Sequence, residues 1–275
     1  MPEREPANPR SSVWDLVGYY LRFLRKSKGL NGADVARLAE CATSTISRIE
    51  TGEQRITEKQ AAKIDKAWKT GNLFELLIYY ARRASDPDWF KNLTKHEQKA
   101  TELRIFGALH VPGLVQTPEY ARALLESGRN KNVERSLESR MGRQEVLTRP
   151  TPPDLWVTVT ENVLDWPVGS PAVMVAQLTR LLELSRLPNV VVRVVPRRSG
   201  ASEALDGPFQ VVRTPEEVLA FVEAAVEGRL VSEEDDVDGF RNRFDRINAK
   251  ALPEDLSREL ILRKMEMFNA QPEVA

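Results

Sequence analysis

From Val13 to Tyr80 the apolar positions recur three and four residues apart, the spacing of one face of an α-helix. Val13, Leu16, Tyr20, Phe23 and Leu24 form a first stripe, and Gly29 is placed to end that helix. Asn31 is a natural cap for a second helix, with Val35, Ala36, Leu38 and Ala39 expected to face inward. A break at Glu40-Cys41 leads into a short third helix, where Ile46 and Ile49 share a face and Gly52 is the stop. Thr57 and Gln60 have the spacing of a capping box, with Ile56 as the hydrophobic staple before it and Ala61, Ile64 and Trp68 continuing inward. Gly71-Asn72 separates this helix from a fifth, about Leu73 to Arg83.

The pattern then changes. Ser85-Asp86-Pro87 reads as a domain boundary. Residues 93–107 have a helical pattern, His110-Val111-Pro112-Gly113 a turn, and Pro118 opens a helix to about Glu126. A charged helix over 133–148 runs into a proline-rich break. Leu155–Thr160 alternates, Pro171–Leu187 is amphipathic, and Asn189–Val195 is a β-branched run. Phe209–Val212 and Val218–Val222 read as strands joined through Thr214-Pro215, and two helices follow at about 235–251 and 254–268. The expected class is α+β. It comprises a disordered arm over 1–12, an all-helical unit over 13–83, and a larger mixed α/β domain over 84–275.

Plotted at about 100° per residue, the third helix turns Ile46 and Ile49 inward and Ser44, Ser47, Arg48 and Thr51 outward. The outer face is small, hydroxylated and carries one arginine, whereas a merely solvated face favours Glu and Lys. Small hydroxyl side chains permit close approach to a major groove, and an arginine can pair bidentately with guanine. Glu50 falls beside Ile46, toward the core. A carboxylate there needs a partner, and Arg25 at the end of the first helix is the candidate. Thr43, Ser44, Ser47 and Arg48 are therefore the expected groove residues. Thr51, Arg55 and Lys59 are the expected phosphate contacts, and Arg4 and Arg10 could add a loose arm. Net charge is zero over 275 residues, but residues 1–83 hold 15 Lys and Arg against 10 Asp and Glu, and the remainder 25 against 30. A basic front and an acidic back suit a protein that meets an anionic polymer with its first part.

These residues spell a pattern. The segment from Val17 to Gly52, with LRFLR, the GLN entry, Ala36 at the helix crossing and ISRIETG, resembles the phage-repressor-like helix-turn-helix of the XRE family. It departs at the turn, where Glu40 replaces the usual glycine, and at Ala42, where a serine is usual. A non-glycine residue in a left-handed turn costs about 1–2 kcal/mol, and Thr43 is expected to take over the cap. LHVPGLVQTPEYARALL, RQEVL, VVVRVVPRRSGASEALDGPFQVV and KALPEDLSRELI resemble the C-terminal domain of the WhiJ-like actinobacterial regulators. The resemblance implies a bacterial transcriptional regulator that acts with a small protein encoded nearby, in an antitoxin-like arrangement.

Other chemistry has little to work with. There is no P-loop, dinucleotide fingerprint or HExxH motif, and His96, His110 and Cys41 are a poor ligand set. Neither a metal nor a cofactor is expected. Cys41 reads as core packing rather than a redox switch, and the acidic run Glu233–Asp238 as a solvated helix start. Gln116 and Tyr120 fit either a rigid turn into a helix or a pocket for an effector or partner. Arg197-Arg198 fits either an anion site or a solvated loop. A single cysteine, no long apolar run and no signal-like N-terminus lead to a cytoplasmic expectation. The leading expectation is a dimeric, non-enzymatic regulator binding a palindromic double-stranded operator. The alternatives are a DNA-targeted enzyme and a helix-turn-helix that binds protein.

Overall fold

A computed structural model describes residues 5–83, 89–223 and 228–270. The chain divides into two compact units, Met1–Trp89 with Ala224–Leu230, and Phe90–Glu223 with Val231–Ala275.

The first unit is helical: α1 (Val13–Ser27), α2 (Gly32–Leu38), α3 (Thr43–Glu50), α4 (Glu58–Trp68) and α5 (Leu73–Arg83). Local chemistry sets most of these ends. Ser12 accepts from the Asp15 amide to start α1, and Asn31 and Asp34 cap one another's amides to start α2. Thr57 and Gln60 do the same for α4. Each such cap is worth about 1 kcal/mol. The buried Asp65 carboxylate accepts from the Phe74 and Glu75 amides, so α4 itself caps α5. The core gathers Val17, Leu21, Val35, Ile46, Ile49 and Ile64, among others, from the first four helices.

Three expectations are corrected here. The buried face of α1 is Val17, Gly18 and Leu21, with Trp14 and Leu24 partly covered, while Phe23 is 52% exposed and Tyr20 37%. Both rows are apolar, and packing of α1 against α3 and α5 selects between them. Leu38 is exposed rather than inward. Ala42, not Thr43, is the cap residue of α3, and no side chain caps that helix.

A six-stranded sheet has the order β3-β2-β1-β4-β5-β6, and its first five strands in chain order belong to the second unit. The strands are β1 (Glu102–Gly107), β2 (Asp154–Thr160), β3 (Val190–Val195), β4 (Phe209–Arg213), β5 (Val218–Val222) and β6 (Arg229–Val231). β1, β2 and β3 run parallel, with Leu103 opposite Leu155 and Val157 opposite Val192. β4 is antiparallel to β1, and β5 to β4. Parallel neighbours require crossovers. These are α7 (Pro118–Ser127) with α8 (Val133–Arg143) between β1 and β2, and α10 (Pro171–Leu184) between β2 and β3. α6 (Trp89–Lys99) precedes the sheet, α9 (Glu161–Asp165) follows β2, and α11 (Glu234–Ala249) and α12 (Glu254–Asn269) follow β6. Phe106, Phe209, Val211 and Ala220 lie on one face under Phe244 and Ile247 of α11. Leu103, Leu155, Val157 and Val192, on the other face, are also buried.

The helical pattern over 93–107 is overridden: α6 ends at Lys99 and β1 begins at Glu102. β1 is the strand between β2 and β4, so ladder pairing on both sides decides its conformation. Its Arg104 stacks 5.9 Å from the Phe244 ring and reaches Asp245. α9 and β6 have no counterpart among the expected elements.

Candidate nucleic-acid interface

The chain reverses between α2 and α3 through Glu40, at φ 52°. The Cys41 amide donates to the Ala36 carbonyl and the Glu40 amide to the Arg37 carbonyl, a Schellman closure that ordinarily takes glycine. Glu40 pairs with Lys63 on α4. The Lys63 hydrogen bond, more than its charge, holds the Glu40 carboxyl below the ordinary carboxylate range. Cys41 packs against the helical core, and burial pushes its thiol pKa up.

Two devices seat α3 on its scaffold. Arg25 donates through Nε to Glu50 Oε1 at 2.5 Å and through Nη2 to Oε2 at 2.7 Å, while Nη1 reaches the Leu30 carbonyl at 3.1 Å. The side chains are 12% and 7% exposed. Thus the two residues that the wheel brought toward each other form a bidentate pair. The second device carried a fainter signal. Gly18 lies mid-helix, where glycine is unfavourable by about 1 kcal/mol, and a Cβ there would overlap the Ile49 carbonyl oxygen. α1 and α3 cross backbone to backbone at this glycine. The Ala7 amide also donates to the Glu50 carbonyl at 3.0 Å, and Ala7 is buried, so this part of the segment before α1 lies against the end of α3 and not in the disordered arm expected over 1–12.

With Ile46, Ile49 and Glu50 buried, α3 exposes Thr43, Ser44, Ser47 and Arg48. Thr51 is half-buried and its hydroxyl donates to the Arg48 carbonyl. Arg55 is exposed but stacked 4.7 Å from the Trp14 ring, which restrains it just after the helix. Lys59 is exposed in the first turn of α4. Arg10 is exposed and Arg4 lies outside the described residues, as does the boundary read at 85–87.

In the second unit Gln116 and Tyr120 are both buried. Gln116 donates to the Val111 carbonyl and accepts from Arg140, and the Tyr120 hydroxyl accepts from the Val111 amide. Their polar atoms hold the turn shut. A buried Glu97–Arg143 pair, 0% and 7% exposed with contacts of 2.7 and 2.8 Å, ties α6 to α8. Periodicity gave no hint of it, because the two residues stand 46 positions apart in charged segments. Among the described residues, no three of His, Cys, Asp and Glu are grouped to hold a metal. Nor is any helix of these residues long and apolar enough to cross a membrane.

A short polar helix pinned against a capped tri-helical scaffold defines the class: a helix-turn-helix protein, and residues 16–71 match the helix-turn-helix domain family. The larger match is to the family described as a domain of unknown function (DUF5753), over residues 90–263. The chain belongs to that family. No curated protein and no solved structure matches the chain.

Proposed function

We propose that the chain is a sequence-specific transcriptional regulator that binds a palindromic operator as a homodimer through α3. The observation that carries this reading is the exposed Thr43, Ser44, Ser47 and Arg48 face on a helix clamped from behind by Arg25–Glu50. A base-reading side chain discriminates only if its helix is held rigidly. Arg48 is the residue assigned to guanine. Thr51, Arg55 and Lys59 are assigned to phosphates, and the stacked Arg55 has less freedom to lose on binding. In this reading residues 1–12 form an arm, 13–83 the DNA-binding domain and 84–275 the sensing and dimerising part. One helix-turn-helix reads few base pairs, and a symmetric dimer sets two recognition helices about 34–36 Å apart. The second part is assigned the main dimer contacts. Exposed Phe23 on α1 and Leu76 and Tyr80 on α5 offer a further apolar surface. The WhiJ-like resemblance extends the reading to a small protein partner in the bacterial cytoplasm. Fluorescence anisotropy with DNA flanking the chain's own gene tests the core of it. The expected result is tight binding of one fragment, in dimer stoichiometry, over a scrambled fragment. Equal, weak binding to both overturns it.

A further inference from the structure

In the parallel part of the sheet, the segments leaving the carboxyl ends of β1, β2 and β3 converge on one cleft of about 760 Å³. β1 supplies Leu109 and His110, β2 supplies Asn162 and Asp165–Gly169, β3 supplies Arg197, and α7 closes one side with Leu124. Crevices at the carboxyl ends of parallel strands are where open α/β sheets bind ligands. The volume lies in the range of small-molecule sites.

The cleft is held in shape by bonds between its walls. Thr160 donates to the Ala108 carbonyl at 2.8 Å, joining the ends of β1 and β2. The Arg197 amide donates to Glu161 at 2.9 Å and its Nε to Asn162 Oδ1 at 2.7 Å, joining β2 to β3. Lys264 of α12 reaches Glu161 at 3.0 Å and Asp165 at 2.7 Å. Despite this order, Leu109 and Trp166 stand 73% and 72% exposed at the cleft. Exposed apolar surface beside a cavity is the kind of patch that marks a ligand-binding site.

The polar side of the cleft pairs Arg197 and Lys264 with Asp165 and Glu161. Asp165 is engaged by Lys264 on one oxygen and by Arg197, at 2.6 Å, on the other. The Asn162 oxygen is taken by Arg197, and Asp165 Oδ2, buried and without a hydrogen-bond partner among the described residues, meets Arg197 as an ion-pair contact alone. Arg197 has five N–H donors; Nε is bonded to Asn162, Nη2 lies in the ion-pair contact with Asp165, and the side chain remains half exposed. What faces the cleft is surplus donor capacity beside an apolar wall.

We propose that this cleft binds a small amphipathic anion: an aromatic or branched apolar body against Trp166, Leu109 and Leu124, with its carboxylate or equivalent acidic head on Arg197. The proposal rests on the reading of this part of the chain as the sensing part. It also gives Arg197-Arg198 the anion role that the sequence left open, on the first of the two arginines.

The test uses the full chain and two fluorescent probes, 8-anilinonaphthalene-1-sulfonate and its uncharged relative N-phenyl-1-naphthylamine. The expected result is one saturable sulfonate site per chain. Arg197→Gln weakens the sulfonate about tenfold and the uncharged probe less than about twofold, as loss of one charge-assisted bond requires. Arg197→Lys retains most of the affinity, and Trp166→Ala weakens both probes. Leu109→Glu, at an exposed position that folding tolerates, repels the sulfonate. Unchanged sulfonate binding in Arg197→Gln and Leu109→Glu, or no binding of either probe, overturns the proposal. DNA binding by the same samples is scored separately: a chain that takes the probe as expected but binds no DNA sinks the regulator reading and leaves the cleft assignment standing.

Discussion

Removing one partner of the Arg25–Glu50 pair is the sharpest perturbation of the DNA-binding unit. Glu50→Ala removes both charge-assisted bonds of the pair from a guanidinium that is 12% exposed. Arg25→Ala strands a carboxylate that is 7% exposed. An uncompensated buried charge costs about 3–5 kcal/mol. Native domains are stable by only about 5–15 kcal/mol, so this is a large share. For a domain of 60–100 residues each kcal/mol moves Tm by about 4–8 °C. Each single variant should therefore lower the melting of the helical unit by more than about 12 °C. Replacing both partners with apolar residues, as in Arg25→Met with Glu50→Leu, removes both charges and should recover most of the loss. The assay is urea denaturation of the full chain, with far-UV circular dichroism for the helices and the two single and one double variant forming a cycle. The expected coupling is at least about 2 kcal/mol, because contacting groups are non-additive. The recovered double variant should still bind DNA more weakly than the wild type, since apolar contact does not fix the rotation of α3 as a bidentate pair does. Single variants that lose less than about 1 kcal/mol, or a double variant that loses their sum, would refute the clamp.

Further outcomes are expected from the same structure. Gly18→Ala should destabilise the helical unit by about 1–3 kcal/mol, as overpacking does, although alanine is the better helix former; a neutral or stabilising result in the same denaturation assay contradicts the backbone crossing. Arg48→Ala should cost about 1–3 kcal/mol on the cognate DNA and relax preference at one base pair, whereas Arg55→Ala should weaken all sequences alike and reduce the salt slope by about one. Equal losses on operator and scrambled DNA for Arg48→Ala would make it a phosphate contact. Arg143→Met leaves the buried Glu97 with the Gln210 amide but no cation of this pair and should lower the melting of the second unit, read by near-UV circular dichroism, by an amount consistent with about 3–5 kcal/mol; a shift no larger than that of an exposed Arg→Met control argues against the pair. Burial pushes the Glu161 carboxyl up, but the Arg197 amide and Lys264 outweigh it and hold it below its ordinary value. Its contribution is thus present above the unfolded carboxylate pKa near 4.5 and lost as pH falls through the lower folded value. Melting of the second unit between pH 5 and pH 3 should fall less steeply in Glu161→Gln than in the wild type.

How much of this was legible follows from the range over which each cause acts. Asn31 and Asp34, Thr57 and Gln60, and Ser12 before α1 are caps closed within three residues, so residue identity alone sets those helix starts. The α3 face was legible for a similar reason: eight residues on one helix have a fixed angular order, and a carboxylate turned inward demanded a cation. The sequence by itself therefore determined the helix-turn-helix, its outward polar face and the need for a partner to Glu50. Tertiary structure decided whatever depended on a surface from elsewhere. It chose which of two apolar rows on α1 is buried, because Gly18 lets the Ile49 carbonyl approach one side only. It made 102–107 a strand, because β2 and β4 supply ladder partners on both edges. It brought Leu109, Trp166 and Arg197, dispersed over almost ninety residues, to one cleft, because parallel strands deliver their carboxyl ends to the same edge of a sheet however long the crossovers between them.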